Sequence, residues 1–164
     1  MKSIISCAAV FAFAFAAQAD NTKVEPKEGK CEIVFPGKPT EKPGDKSLQI
    51  SMETLEGKGA LMLQYNDMPN KIPTDNAEAV KKILDGGQGG LTQALKGKIL
   101  KSEDGKFGDH PSRDIDMEVP MLGVYRVKFI FTGDKFYQVT AAGPKDYVNG
   151  EEVKKFMESF KIKD

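Results

Sequence analysis

Apolar residues recur along this chain in three periods: unbroken, every second residue, and every third to fourth residue. The unbroken run is Ile4–Ala17, interrupted only by Ser6, with Lys2 ahead of it and the small-x-small triplet Ala17-Gln18-Ala19 behind it. A positive start, a short apolar stretch and such a triplet are the marks of a secretory signal peptide, here cleaved between Ala19 and Asp20. The run is shorter than the roughly 20 apolar residues that cross a bilayer, and no stop-transfer pattern follows. The short n-region points to a bacterial source, and the expected address is secreted or periplasmic, with no transmembrane segment in the mature chain.

Residues 20–30 are polar apart from Val24 and read as a flexible leader. Period two then begins. Cys31–Phe35 places Cys31, Ile33 and Phe35 on one face of a strand that stops at Pro36-Gly37. Gly37–Lys46, rich in Lys, Pro and Gly, reads as a loop. Ser47–Thr54 alternates with Leu48, Ile50 and Met52 inward, and Ala60–Tyr65 is apolar on both faces except at Gln64. The turn Gly57-Lys58-Gly59 joins the two as a hairpin.

Helical spacing takes over after Pro73, through Val80, Ile83, Leu84, Leu91, Ala94 and Leu95. Thr74 or Asp75 starts this helix, and Glu78, three residues after Asp75, fits a capping arrangement. Gly86-Gly87-Gln88-Gly89-Gly90 falls in its middle. Each helical Gly costs up to about 1 kcal/mol against Ala, so the run reads as a bend or break, or as a place where helix packs closely on sheet. Residues 98–119 read as two short strands around a turn at Gly105–Pro111. Val124–Phe131 and Phe136–Ala142 form a hairpin through Thr132-Gly133-Asp134-Lys135. A last helix is capped by Asn149, with Glu152 at its third position and the stripe Val153, Phe156, Met157, Phe160.

Strand, hairpin, helix, four strands, helix is the order of an α+β domain. It predicts a mainly antiparallel sheet of about six to seven strands with two principal helices packed on it, over residues 31–164. The 145 residues left after removal of 1–19 from 164 suffice for one core.

Charge narrows the function. Lys2 is the one charged residue within 1–19, so the mature balance is 23 basic against 24 acidic residues, a net of −1. That excludes the basic excess of a nucleic-acid binder and a polybasic lipid anchor. Cys7 departs with the signal peptide, and its position leaves too little apolar chain ahead of it for a lipoprotein. Cys31 then stands alone beside a single histidine, His110, which excludes an internal disulfide and a structural zinc cluster. The alternation with Ile33 and Phe35 predicts a buried, inert thiol. No cofactor is implied.

Three motifs are candidates for chemistry. Asp114, Asp116 and Glu118 project from one face of a strand, as hard cations require. Yet Ile115 and Met117 must share a face with Tyr125, Val127 and Phe129. Paired residues therefore have even sums, and Asp116 faces Arg126 or Lys128 in a charge ladder. The glycine run at 86–90 lacks the strand, spacing and Lys-Ser/Thr of a phosphate loop. In Gly108–Asp114, His110, Arg113 and Asp114 are candidate binding residues, and Asp109 beside His110 forms a possible acid–base pair.

Four phrases together resemble a known group. They are Ile33-Val34-Phe35-Pro36-Gly37-Lys38-Pro39, the turn Gly108–Asp114, the stretch Gly133–Val139 followed by Gly143-Pro144, and the ending Phe156-Met157-Glu158-Ser159-Phe160-Lys161-Ile162. The set is similar to secreted bacterial proteins of the PsbP-like α/β/α sandwich and to the DcrB-like periplasmic proteins. Ser112 and Asp114 depart from the usual turn pattern, which has Gly and Glu there. The resemblance implies an antiparallel sheet flanked by helices and a non-enzymatic binding or accessory role with a protein or envelope partner. A small secreted enzyme using Asp109 and His110 is the alternative, and an adhesive or envelope-scaffold protein is a third reading.

Overall fold

β9 (Lys135–Gly143) is buried along its length apart from a half-buried Gln138, so the sheet that contains it must be covered on both faces. A computed structural model describes residues 20–44, 47–53 and 59–163. The expected signal peptide and most of the turn Gly57-Lys58-Gly59 lie outside these residues.

β9 is the fourth of seven antiparallel strands, ordered β3 (Thr40–Gly44), β4 (Ser47–Glu53), β5 (Ala60–Asp67), β9, β8 (Gly123–Phe131), β7 (His110–Val119), β6 (Lys98–Phe107). Between β5 and β6 the chain crosses one face of this sheet as α1 (Ala77–Leu95). Val80 and Leu84 of α1 pack there on Ile115, Met117, Val127, Phe129 and Phe136. The opposite face is covered by α3 (Glu151–Ser159), after the single turn α2 (Lys145–Val148), and by a small sheet in which β2 (Cys31–Phe35) lies between β1 (Thr22–Val24) and β10 (Lys161–Ile162). Cys31, Ile33 and Phe35 meet Leu61, Leu63, Tyr137, Val139, Phe156 and Phe160 in this second core. The α+β class, the antiparallel sheet and the two principal helices agree with expectation.

Five local expectations change. The polar stretch 20–30 is not simply a leader: Thr22–Val24 pair with Ile33–Phe35, and Val24 enters the core. One inward apolar residue and backbone pairing suffice for an edge strand, and composition hides both. Within Gly37–Lys46, Thr40–Gly44 is an exposed edge strand paired with β4, where Pro43 is tolerated. Helix α1 is capped by Asn76, whose side chain accepts from the Ala79 N–H at 3.1 Å, so neither Thr74 nor Asp75 starts it. β6 and β7 are ten residues each and turn at Gly108-Asp109, with Gly108 at φ +59°. β6 carries an irregularity at Leu100. Finally, α3 starts after Gly150, with no side-chain cap from Asn149.

The glycine run does not break α1. A Cβ on Gly87 would lie 2.9 Å from Phe136 Cζ and 3.4 Å from Phe129 Cε2, so the helix approaches the sheet there because it has no side chain. Gly89 and Gly90 face open space. The expected contrast follows: Gly90→Ala raises unfolding free energy by about 0.5–1 kcal/mol, whereas Gly87→Leu lowers it by about 2 kcal/mol, both read by denaturant titration.

An ion-pair cluster joins the small sheet. Glu32 of β2 accepts Lys23 at 3.0 Å, Lys163 at 3.2 Å and Lys161 at 3.4 Å. Lys23 first, then Lys163, hold its carboxyl at about 2 against an ordinary 4.5. A depressed folded value contributes stability above the unfolded value and loses it as pH falls. Stability of the wild type should therefore decline between pH 4.5 and 2, and Glu32→Gln should flatten part of that decline in acid titrations followed by circular dichroism.

Candidate functional site

Strand alternation sends neighbouring residues of β7 to opposite faces, and this separates the candidates His110, Arg113 and Asp114. Arg113 points toward α1. Its guanidinium donates to Asp85 Oδ1 at 2.8 Å and to both oxygens of Asp104, with Nη2–Oδ2 at 3.1 Å. Gln88 completes the cluster, accepting from Arg113 Nη1 at 3.3 Å and from Ser102 Oγ at 2.8 Å. The Arg113 side chain is 7% exposed. The Asp104 carboxylate holds its pKa above the ordinary value, and Arg113 in turn lowers that of Asp104. Arg113 is thus a clamp between α1 and the β6–β7 hairpin.

His110 opens β7 opposite Phe107 and is half-buried. Among the described residues, neither Asp109 nor any other side chain hydrogen-bonds or pairs with its ring, so the two are not assembled as an acid–base pair. Cys31 is 1% exposed, and burial pushes its thiol up to about 12.

Asp114 points the other way, into a groove between the β7–β8 face and α3. The register pairs Asp114 with Lys128 and Asp116 with Arg126, the even sum expected, across the three-residue loop Pro120–Leu122. Lys128 Nζ donates to Asp114 at 2.9 Å. Arg126 donates from Nε and Nη2 to Asp116 at 2.8 and 2.9 Å, and from Nη1 to the Val148 carbonyl at 3.1 Å. Its Nη2 also reaches Asn149 Oδ1 at 3.1 Å, which engages the side chain expected to cap α3. The acidic row is therefore half of a charge ladder. No group of three or more His, Cys, Asp or Glu gathers around a metal-sized space among the described residues.

The groove encloses about 540 Å³, within the range of small-ligand sites. Phe107 and Met157 supply its apolar surface above a buried Val153, with Phe107 tilted against Phe160 at 5.5 Å between ring centroids. Along α3 its rim carries Gly150, Lys154 and Glu158. Lys154 and Glu158 are exposed and make no ion pair among the described residues, unlike Arg126 and Lys128 across the groove. Sequence reasoning found the ladder but missed this rim. The available signal was the helical spacing that puts Gly150, Lys154 and Glu158 beside the apolar stripe of α3.

Comparison with solved structures now settles the architecture. The solution structure of cyanobacterial PsbP (CyanoP) from Synechocystis sp. PCC 6803 superposes with a TM-score of 0.65, covering 97% of this chain and 98% of that chain at 10% identity. The chain has a PsbP-like fold. The Saccharomyces cerevisiae Ran-binding protein Mog1p also superposes, with a TM-score of 0.51 over 89% of this chain and 97% of its own, at 13% identity. No protein-family profile and no curated protein sequence matches the chain. At such identities it is the PsbP-like fold that is shared. No helix among the described residues is long and apolar enough to cross a membrane.

Two outcomes check the assignments of single residues. Arg113→Met should lower unfolding free energy by about 1–2 kcal/mol in urea titration, since it removes charge-assisted bonds to partly exposed partners. The Cys31 thiol should stay silent toward Ellman's reagent at pH 8 in the folded protein and react within seconds once guanidinium is added.

Proposed function

We propose that this chain is an exported, non-enzymatic binding or accessory protein of the periplasm or cell envelope, and that the groove between α3 and the β7–β8 face receives its partner. The observation that carries this reading is the state of the groove's polar groups. Lys128 and Arg126 are held by Asp114 and Asp116, so the wall is rigid and its chemistry is spent on shape. The rim charges Lys154 and Glu158 are left without partners and accessible. Fixed walls, an apolar floor and available rim charges suit recognition. A Ran-binding protein on a similar fold supports a binding role, and the opening residues 1–19 support export. His110 and Arg113 take no part, because one stands at the hairpin end and the other faces α1.

Export is checked by the intact mass of the protein recovered from its native host, which should begin at Asp20; a cytoplasmic protein retaining Met1 would overturn it. Binding is checked in the same cells by photo-cross-linking. A photoreactive residue replacing Lys154 should give a discrete adduct that Met157→Glu abolishes. The same residue in place of Lys42, on the distant edge strand β3, should give none. His110→Ala should leave the adduct unchanged. Equal adducts from both positions would remove the groove from the proposal.

A further inference from the structure

We infer that Asn149-Gly150 is a latent site of self-modification, where the Asn149 amide converts to a carboxylate through a cyclic imide, and that Arg126 holds this site closed. The inference concerns one residue of the groove wall and does not depend on what the groove binds.

An asparagine or aspartate followed by glycine is the least hindered place in a chain for imide formation, because glycine has no Cβ to shield its nitrogen. Here the Gly150 nitrogen would attack Asn149 Cγ. A C–N bond forms, and the side-chain nitrogen leaves as ammonia, taking the proton that the Gly150 nitrogen gives up. Water then opens the ring at one of its two carbonyls. One opening yields aspartate; the other yields isoaspartate, whose backbone runs through the former side chain. Water is consumed and ammonia released, with no other reactant.

The chain has three such pairs, Asp85-Gly86, Asp104-Gly105 and Asn149-Gly150, and two arginines, Arg113 and Arg126. The arginines hold all three pairs. Arg113 donates to Asp85 Oδ1 at 2.8 Å and to Asp104 Oδ2 at 3.1 Å, and Arg126 donates to Asn149 Oδ1 at 3.1 Å. The two aspartates have further protection. Asp85-Gly86 lies within α1 and Asp104-Gly105 within β6, where ladder hydrogen bonds fix the backbone. Lys81 and Arg113 lower the pKa of Asp85, and Arg113 lowers that of Asp104, so both stay ionised and resist a nucleophile. Asn149 is a neutral amide on an exposed residue, at the junction between α2 and α3.

At that junction the protection is local. Asn149 has ψ 0°, which turns the Gly150 nitrogen away from the side chain, whereas ring closure needs it to face Cγ. The Gly150 N–H donates to the Tyr147 carbonyl at 2.9 Å and fixes that rotation. Arg126 pins the amide oxygen and is itself anchored by Asp116 at 2.8 Å and by the Val148 carbonyl at 3.1 Å. Reaction therefore requires the α2–α3 junction to open and the side chain to leave Arg126. Conversion would set a second carboxylate beside Asp116 in competition for Arg126, or lengthen the backbone ahead of α3.

The test incubates residues 20–164 at mildly alkaline pH as wild type and as Arg126→Lys, beside the free peptide Tyr-Val-Asn-Gly-Glu-Glu that copies 147–152. Arg126→Lys keeps the charge opposite Asp116 and loses the forked reach to Asn149. Conversion is read by peptide-resolved mass spectrometry, and isoaspartate at positions 85, 104 and 149 by enzymatic methyl transfer. Folded wild type should convert at Asn149 at least about a hundredfold more slowly than the peptide. Arg126→Lys should convert there about three- to tenfold faster than wild type, the effect of one lost hydrogen bond. Its rates at Asp85 and Asp104 should not change. Wild type converting as fast as the peptide would overturn the closed site. An unchanged or slower rate at Asn149 in Arg126→Lys would overturn the role of Arg126, as would equal acceleration at all three positions.

Discussion

The structure depends on the burial of β9 from both sides. Tyr137, Val139 and Ala141 face the small sheet and α3, while Phe136, Thr140 and Ala142 face the α1 side. A buried large apolar side chain contributes about 1.5–3 kcal/mol, so each face supplies enough drive to hold its own layer. Neither layer is dispensable, because removing one exposes half of the central strand. The two cores remain distinct clusters separated by a single thickness of sheet. Hydrogen bonds from β9 to β5 and β8 hold both halves in register. Tyr137 also donates its hydroxyl to the Gly29 carbonyl at 2.7 Å, which ties the segment before β2 to the same strand.

The same two-sidedness explains why β7 does two jobs in consecutive residues. Arg113 is sequestered with Asp85 and Asp104 and fastens the crossing helix to the outer hairpin. Asp114, one residue on, belongs to the wall of the groove. A strand lined by charges on both sides of its outer portion is costly unless each charge is met. Here Lys128 and Arg126 of β8 meet one row, and Arg113 meets the carboxylates of its neighbours. The groove is thus a by-product of register: a slip of one residue would send the ladder into the α1 core.

Much of this was legible in the sequence wherever hydrophobic period was strong. β2, β4, β5, β8, β9 and the stripe of α3 follow from alternation or helical spacing alone, as does the even-sum register of β7 with β8. Residues 22–24 and 40–44 were not legible, because strands at a sheet edge are held by backbone hydrogen bonds that leave little trace in side-chain pattern. Capping failed for a related reason. Thr74, Asp75 and Asn76 are all competent caps, and Asn149 is too, but its amide is engaged by Arg126 from another strand. The candidate site was half legible. Asp114 and its partners were found through pairing, whereas Lys154, Met157 and Glu158 become a site only when α3 is laid over β8. Grouping His110, Arg113 and Asp114 by nearness in sequence ignored the alternation that sends Arg113 to the opposite face.

Both free margins of the seven-stranded sheet are poor templates. On β3, Pro43 lacks an N–H and Lys42 brings a charge, while β6 is irregular at Leu100 and carries Lys98, Lys101, Glu103, Asp104 and Lys106. Such margins resist the end-to-end strand addition by which exposed sheets polymerise. With one cysteine beyond residue 19, that stretch holds no internal disulfide, and this resistance rests on side-chain and backbone features alone. It also limits how other molecules attach. With margins that disfavour backbone pairing and layers packed on both faces, contacts with other molecules fall to surface side chains rather than to added strands.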